Sequence, residues 1–219
     1  MDGVTSWFEY MVDRADDIAV GLYEHAIYIV TVVIVATITS LVVGILVRHR
    51  PVAKEISLGI ASVFLTLPSL ALFTIFIPLT GLGFLPSFIA LYLYAILPIL
   101  RNTVTGLAGV DPAVLESARG MGLSSWQRLR KIEIPLAWPV IITGIRISSL
   151  LTAGIAAIAT LVAGGGLGDF IKSGLARLPL PNSLEAIWTG TVFTVLLALA
   201  FDVLFTLVSR LTTSPGLRP

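Results

Sequence analysis

Apolar and polar positions alternate along this chain in long blocks. Five apolar blocks, at roughly residues 26–47, 56–79, 84–103, 137–163 and 186–209, stand between shorter polar stretches. A helix needs about 20 apolar residues to cross the hydrocarbon of a bilayer, so each block predicts one spanning helix. The third is the least uniform, because Pro86 and Pro98 interrupt it. Pro68, Pro78 and Pro139 predict kinks or ends elsewhere, which are tolerated where neighbouring helices cover the freed carbonyls. No block shows the two-residue alternation of a strand, so the expected fold is all-α. Residues 1–25 cannot span. They carry Asp2, Glu9, Asp13, Asp16, Asp17 and Glu24 against Arg14. Trp7, Tyr10 and Met11 fit a short amphipathic helix on a membrane surface, and a frayed polar end fits equally well.

The polar stretch between the third and fourth blocks has a pattern of its own. Asp111-Pro112 is a helix start, with Asp as N-cap and Pro at the first helical position. The helix is expected to run through AVLESARG, with Leu115 and Ala118 on one face. Gly120 and Gly122 then break it or permit close backbone approach. Ser124 restarts the chain, with Gln127 completing a capping box. Trp126, Leu129 and Ile132 are spaced by three and should share a stripe, with Arg128, Arg130 and Lys131 mostly off it. Pro135 should end the unit before the fourth span. Pattern alone leaves two readings: a helix pair lying on anionic lipid, or a docking element for a cytoplasmic partner.

Composition agrees with the membrane class. The 219 residues are 56% hydrophobic and 12% charged, against about 25% charged in a soluble domain. The length suits one membrane domain. The net charge of +1 says nothing about partners, no nucleic acid is expected among them, and the absence of cysteine removes disulfides and thiolate metal sites. The acidic N-terminus lacks the layout of a cleaved signal. Loops 48–55 and 104–136, the tail after 209 and the edge residue Arg101 hold ten basic residues: Arg48, Arg50, Lys54, Arg101, Arg119, Arg128, Arg130, Lys131, Arg210 and Arg218. The other side holds three: Arg14, Lys172 and Arg177. Basic loops stay in the cytoplasm. The expected layout is an extracytoplasmic segment 1–25, a membrane domain 26–210 with the polar loop at about 111–135, and a cytoplasmic tail 211–219.

Candidate chemistry is sparse. Arg146 and Asp202 are the ionisable residues inside spans, where such groups are usually paired or functional. By helical rise they lie roughly 15 Å and roughly 12 Å from the cytoplasmic ends of their spans, so the two can meet. A pair that fixes two helices, a transport role and snorkelling of Arg146 to the headgroups all fit. "GLGDFIKS", residues 166–173, has Ile171 where a phosphate-binding loop needs its second glycine. "GGGLGD" reads instead as a tight loop between the fourth and fifth spans. His25 and His49 stand isolated near loop edges, no metal site or catalytic set is visible, and no aromatic cage for a quaternary ammonium group stands out. Trp188, Tyr92 and Tyr94 fit interfacial anchors better than a pathway lining.

The wording of the polar loop carries a resemblance. Glu116, Ser117 and Ala118, then Gly122, then Ile132, Ile134 and Pro135 resemble the cytoplasmic loop signature of ABC-importer permeases, which reads Glu-Ala-Ala, three residues, Gly, nine residues, Ile-x-Leu-Pro. Ser117 and Ile134 depart from it. "LYAILPILRNTVTGLAGVDPAVLESARGMG", "GIRISSLLTAGIAAIATLVAGGGLGDFI" and "GIASVFLTLPSLALFTIFIPLTGLG" are similar to the glycine betaine, carnitine and choline permeases over roughly residues 20 to 175. The resemblance implies the type I importer permease fold: five transmembrane helices and a loop that forms coupling helices seated on a nucleotide-binding subunit. It implies that role for Glu116, Ser117, Ala118, Gly122, Ile132 and Pro135. It also implies an ABC ATPase as a separate chain that holds the ATP, an extracytoplasmic binding protein that captures solute, and a second permease subunit, identical or related. No cofactor is expected in this chain, and no covalent chemistry. The loop signature is shared by importers of amino acids and other small solutes. A stand-alone secondary transporter or channel needs coupling-ion or selectivity residues in several spans, and only Arg146 and Asp202 offer themselves.

Overall fold

The computed structural model describes residues 2–163 and 165–214. The first long helix begins earlier than the apolar block. After α1 (Asp2–Asp13), α2 runs unbroken over Ala15–Val47, 33 residues. Asp16 and Asp17 do not stop it, because they occupy its first turn, where the helix dipole favours acids. His25 therefore lies within a helix and is buried at 2% exposure, its Nε2 2.9 Å from the Ala153 carbonyl. The sequence places it near a loop edge, because it ends the acidic segment just before the apolar block at 26.

The second block is a broken span. α3 (Pro51–Thr66) and α4 (Ser69–Thr80) meet at a bend of 100°. Leu67 is extended and Pro68 has no N–H to continue the ladder. The carbonyl of Leu67 accepts a 2.6 Å hydrogen bond from the hydroxyl of Tyr94. Tyr94 is 3% exposed, so it ties this break from inside the bundle and is not an interfacial anchor.

α5 (Phe84–Ala108) is the central helix. The polar loop follows as α6 (Pro112–Gly120), α7 (Ser125–Arg128) and a π-helical turn, Leu129–Glu133, that leads directly into α8 (Ile134–Ala163). The helix is continuous from Ser125 to the end of α8. Pro135 was expected to end the loop unit, but it sits in the first turn of α8. The preceding π turn shifts the bonding pattern where the proline lacks its donor. α9 (Gly168–Ala176) and α10 (Ser183–Thr212) complete the chain. The glycine loop is thus followed by a short helix before the last span. Within the expected tail 211–219, residues 215–219, including Arg218, lie outside the described residues.

Among the described residues four helices are long and apolar enough to cross a membrane, and the bent α3–α4 pair, taken as one span, makes five. No strand occurs among the described residues. The core joins α2, α4, α5 and α8 through Ile29, Val32, Phe73, Leu91, Ile99 and Ile141. α5 and α8 approach closely because Gly144 faces α5. A Cβ at that position would stand 2.7 Å from the Cβ of Asn102 and 2.8 Å from the carbonyl oxygen of Pro98. Small residues of this kind let helices pack in lipid, where no hydrophobic force drives them together. α10 packs at the edge, against α8 and α9. Leu196, Val203, Leu204, Leu207 and Leu211 on it remain exposed. α1 lies against its start. Trp7 Nε1 donates to Thr189 Oγ1 at 2.9 Å, and Ser6 Oγ donates to Glu185 Oε1 at 3.0 Å.

Candidate functional site

The loop between α5 and α8 is shaped by its own capping chemistry. Asp111 accepts a 2.8 Å hydrogen bond from the N–H of Ala113, and Pro112 opens α6. α6 ends in a tight closure. The N–H of Leu123 reaches the Ala118 carbonyl at 3.1 Å, with Gly122 at φ +78. A side chain there would be strained in the left-handed region, which explains a glycine at this point of the signature. Ser124 and Gln127 then cap α7 reciprocally, at 3.3 Å and 2.8 Å. Arg128 donates to the Leu123 carbonyl at 3.2 Å and closes the corner.

These contacts sort the loop residues. Ala118 is fully buried and Leu129 is 2% exposed, so they anchor the unit. Glu116, Ser117 and Gly122 are exposed, and Met121 and Trp126 are 70% and 66% exposed. Glu116, Ser117, Ala118 and Gly122 sit together on α6 and its end. Ile132, half-buried, and Pro135, exposed, lie apart from them on the π turn and the start of α8. The expected stripe of Trp126, Leu129 and Ile132 is not a single face. The π turn changes the angular step, so Trp126 points outward while Leu129 points in.

One tie was missed in the sequence. Glu133 is 4% exposed, and its Oε2 lies 3.2 Å from Nε of Arg48, which caps α2. The contact is one of charge: Nε makes no aligned hydrogen bond, while Nη1 of Arg48 donates to the Ile45 carbonyl at 2.6 Å. The end of the charged loop is thereby fixed to the end of the first long helix. The available signal was an acid inside a basic loop followed by a span.

Inside the membrane domain, Arg146 and Asp202 meet in a two-bond fork. Nε to Oδ1 is 2.5 Å and Nη2 to Oδ2 is 2.8 Å. Beside them, between α8 and α10, runs a groove of about 480 Å³. At the opposite end of the bundle, Glu24 of α2 accepts from the N–H of Gly166 at 2.7 Å, and Asp169 accepts from that of Gly165 at 2.6 Å. The GLGDFIKS stretch mostly forms α9. The amides of Gly165 and Gly166 just before that helix are occupied by the carboxylates of Asp169 and Glu24. Tyr28, Phe84, Phe88 and Tyr92 form a stack with centroid steps of 4.7, 5.6 and 6.4 Å. Phe84, Phe88 and Tyr92 recur every four residues on α5, a signal the sequence did carry. The result is a ladder and not a cage, because three of the four rings follow one another along α5 and Tyr28 of α2 only extends the row. Tyr92 also donates to Thr39 at 3.2 Å, whereas Trp188 is 60% exposed near the start of α10. Among the described residues no group of three or more His, Cys, Asp or Glu could hold a metal ion.

An exposed, capped loop thus leads without a break into a span. Residues 36–214 match the family described as binding-protein-dependent transport system inner membrane component. The chain is 39% identical over 195 residues to the glycine betaine/carnitine/choline transport system permease protein OpuCB of Bacillus subtilis, covering 89% of this chain and 88% of that protein. It is 36% identical over 210 residues to the choline transport system permease protein OpuBB of the same organism, covering 96% and 95%. It is 38% identical over 215 residues to the osmoprotectant import permease protein OsmW of Salmonella typhimurium, covering 95% and 98%. In shape it is similar to a chain of the MetNI methionine ABC transporter in an inward-facing conformation. The TM-score is 0.78 at 22% identity, covering 90% of this chain and 96% of that one. The chain belongs to the family of binding-protein-dependent transport system inner membrane components, and is a multi-pass membrane protein with the type I ABC importer permease fold.

Proposed function

We propose that this chain forms the membrane path of an ATP-driven importer for small osmoprotectants of the quaternary ammonium class, such as glycine betaine, carnitine and choline. The observation that carries this reading is similarity along almost the whole chain to permeases named for those solutes, at 36–39% identity. The chain does no covalent chemistry. ATP is held and hydrolysed by a separate ATPase subunit, an extracytoplasmic binding protein delivers the solute, and a second permease copy or relative completes the path. The basic loops lie in the cytoplasm and the N-terminus outside, in keeping with the positive-inside rule. The exposed surface of α6 and α7, with Glu116, Ser117, Met121 and Trp126, is the seat for the ATPase. Gly122 sets the turn between the two helices, and Ile132 and Pro135 join them to α8.

The test is uptake into proteoliposomes that hold the full assembly, with ATP inside and binding protein outside. Radiolabelled glycine betaine, choline or carnitine should accumulate, and omission of the ATPase should abolish accumulation. Uptake of an amino acid with none of the three solutes overturns the substrate class. Uptake that persists without the ATPase overturns the importer reading.

A further inference from the structure

The Arg146–Asp202 pair lies where lipid is a poor neighbour. Arg146 stands about 18 Å along α8 from Ile134, and Asp202 about 15 Å from the far end of α10. In the single chain the two side chains are 44% and 23% exposed. Ionised groups at that depth in a bilayer face other protein or a water-filled cavity, because hydrocarbon solvates them poorly.

The rest of α10 divides in the same way. Asp202, Thr206 and Ser209 recur at steps of four and three, which places them on one stripe. Leu196, Val203, Leu204, Leu207 and Leu211 are all about half exposed or more and occupy the other side. One helix thus presents an apolar face and a polar one, and only the apolar face suits lipid. α8 adds Thr143 opposite the polar stripe. The groove between them runs from the ion pair to the end that carries α6 and α7, with Arg210 near its mouth. Its volume, about 480 Å³, lies in the range of small-molecule sites, about 300–1,000 Å³.

We propose that this groove faces water in the assembled transporter and forms the inner wall of the solute path, with the Arg146–Asp202 fork at its deep end. The inference deepens the importer reading above and rests on it. The chemistry suits a solute that carries a quaternary ammonium group, alone or with a carboxylate. Arg146 and Asp202 satisfy one another through two bonds, so the wall has no free charge at that depth to trap either group. The hydroxyls of Thr143, Thr206 and Ser209 provide neutral polar contact below it.

The chain has no cysteine, so each introduced thiol is unique within the subunit. Single variants Thr143→Cys, Thr206→Cys and Ser209→Cys are compared with Val203→Cys and Leu207→Cys on the apolar face. All are assayed in the complete complex. The probe is the trimethylammonium-ethyl methanethiosulfonate cation, which carries the solute's headgroup, added on the side of the α6–α7 loop. A thiol in lipid has its pKa raised, and each unit removes tenfold of the reactive thiolate, so the groove positions should react roughly tenfold faster or more. Equal rates on the two faces overturn the proposal. Labelling does not depend on which solute is carried. Fast labelling in a complex that fails to import osmoprotectants removes the substrate reading and leaves the groove as a water-filled path.

Discussion

Replacing Arg48 by Met should damage this protein more than replacing Glu133 by Gln, although both break the same contact. At 3.2 Å and an effective dielectric of about 20, two opposite charges attract by about 5 kcal/mol before desolvation is counted. The two partners differ in what remains after the other is removed. The Glu133 side chain is only 6% exposed, so Arg48→Met strands a buried carboxylate, at about 3–5 kcal/mol. The Arg48 side chain is 18% exposed, keeps its 2.6 Å bond to the Ile45 carbonyl and sits at a helix C-terminus that favours a cation. Glu133→Gln should therefore lose only about 1–2 kcal/mol. At about 2–4 °C per kcal/mol for a chain of this size, the midpoint should fall by about 6–20 °C for Arg48→Met and about 2–8 °C for Glu133→Gln. The double variant should return toward the Glu133→Gln value, since no charge is left stranded. The assay is thermal loss of the monodisperse peak of the solubilised complex on size exclusion. Equal losses in the two single variants, or additive losses in the double variant, would refute the reasoning.

Gly144→Ala should lower the melting midpoint, because its new Cβ meets Asn102 and the Pro98 carbonyl at under 3 Å; overpacking of this kind typically loses about 1–3 kcal/mol. Gly154→Ala, with nothing within 4 Å of its new Cβ, should be neutral or stabilising, and the same melting assay compares the two. Glu116→Lys should leave the complex extractable at wild-type yield while ATP-driven uptake and binding-protein-stimulated ATP hydrolysis fall together; normal uptake would remove the docking role. Single cysteines at Ser124 and Ser173 test the topology: in intact cells an impermeant thiol reagent should label Ser173→Cys and spare Ser124→Cys, and the reverse would invert the membrane orientation.

Much of the architecture was legible because lipid leaves few choices. Backbone groups in hydrocarbon must bond within their own segment, so apolar block length alone predicts helices. The loop was legible because capping is local: Asp111, Ser124 and Gln127 act on residues two or three positions away. What escaped the sequence was set by partners distant in the chain. Tyr94 looked like an interfacial anchor until it met Leu67, and His25 looked like a loop residue until it met Ala153. Glu133 stood out as an acid in a basic loop, but nothing near it in sequence named Arg48, 85 positions earlier, as its partner. Pro135 misled because proline was read as a stop, whereas a π turn placed just before it lets the helix continue. Arg146 and Asp202 came within reach on depth alone. Their exposed flank could be seen only once α8 and α10 were set side by side.

The π turn at Leu129–Glu133 also acts as a phase setting. An α-helix advances about 100° and 1.5 Å per residue, and a π turn holds one residue more than the α turn it replaces. Because Ser125 to Ala163 is one unbroken rod, that extra residue fixes the azimuth of Trp126 relative to Arg146 on the same rod. If the same five residues took α geometry instead, the extra residue would no longer be absorbed in one turn, and the Trp126 face would swing by about 100° around the rod and move out by about 1.5 Å, with every cap of the loop intact. The register of five residues therefore determines how the outward face of the loop is aligned with the groove face of α8.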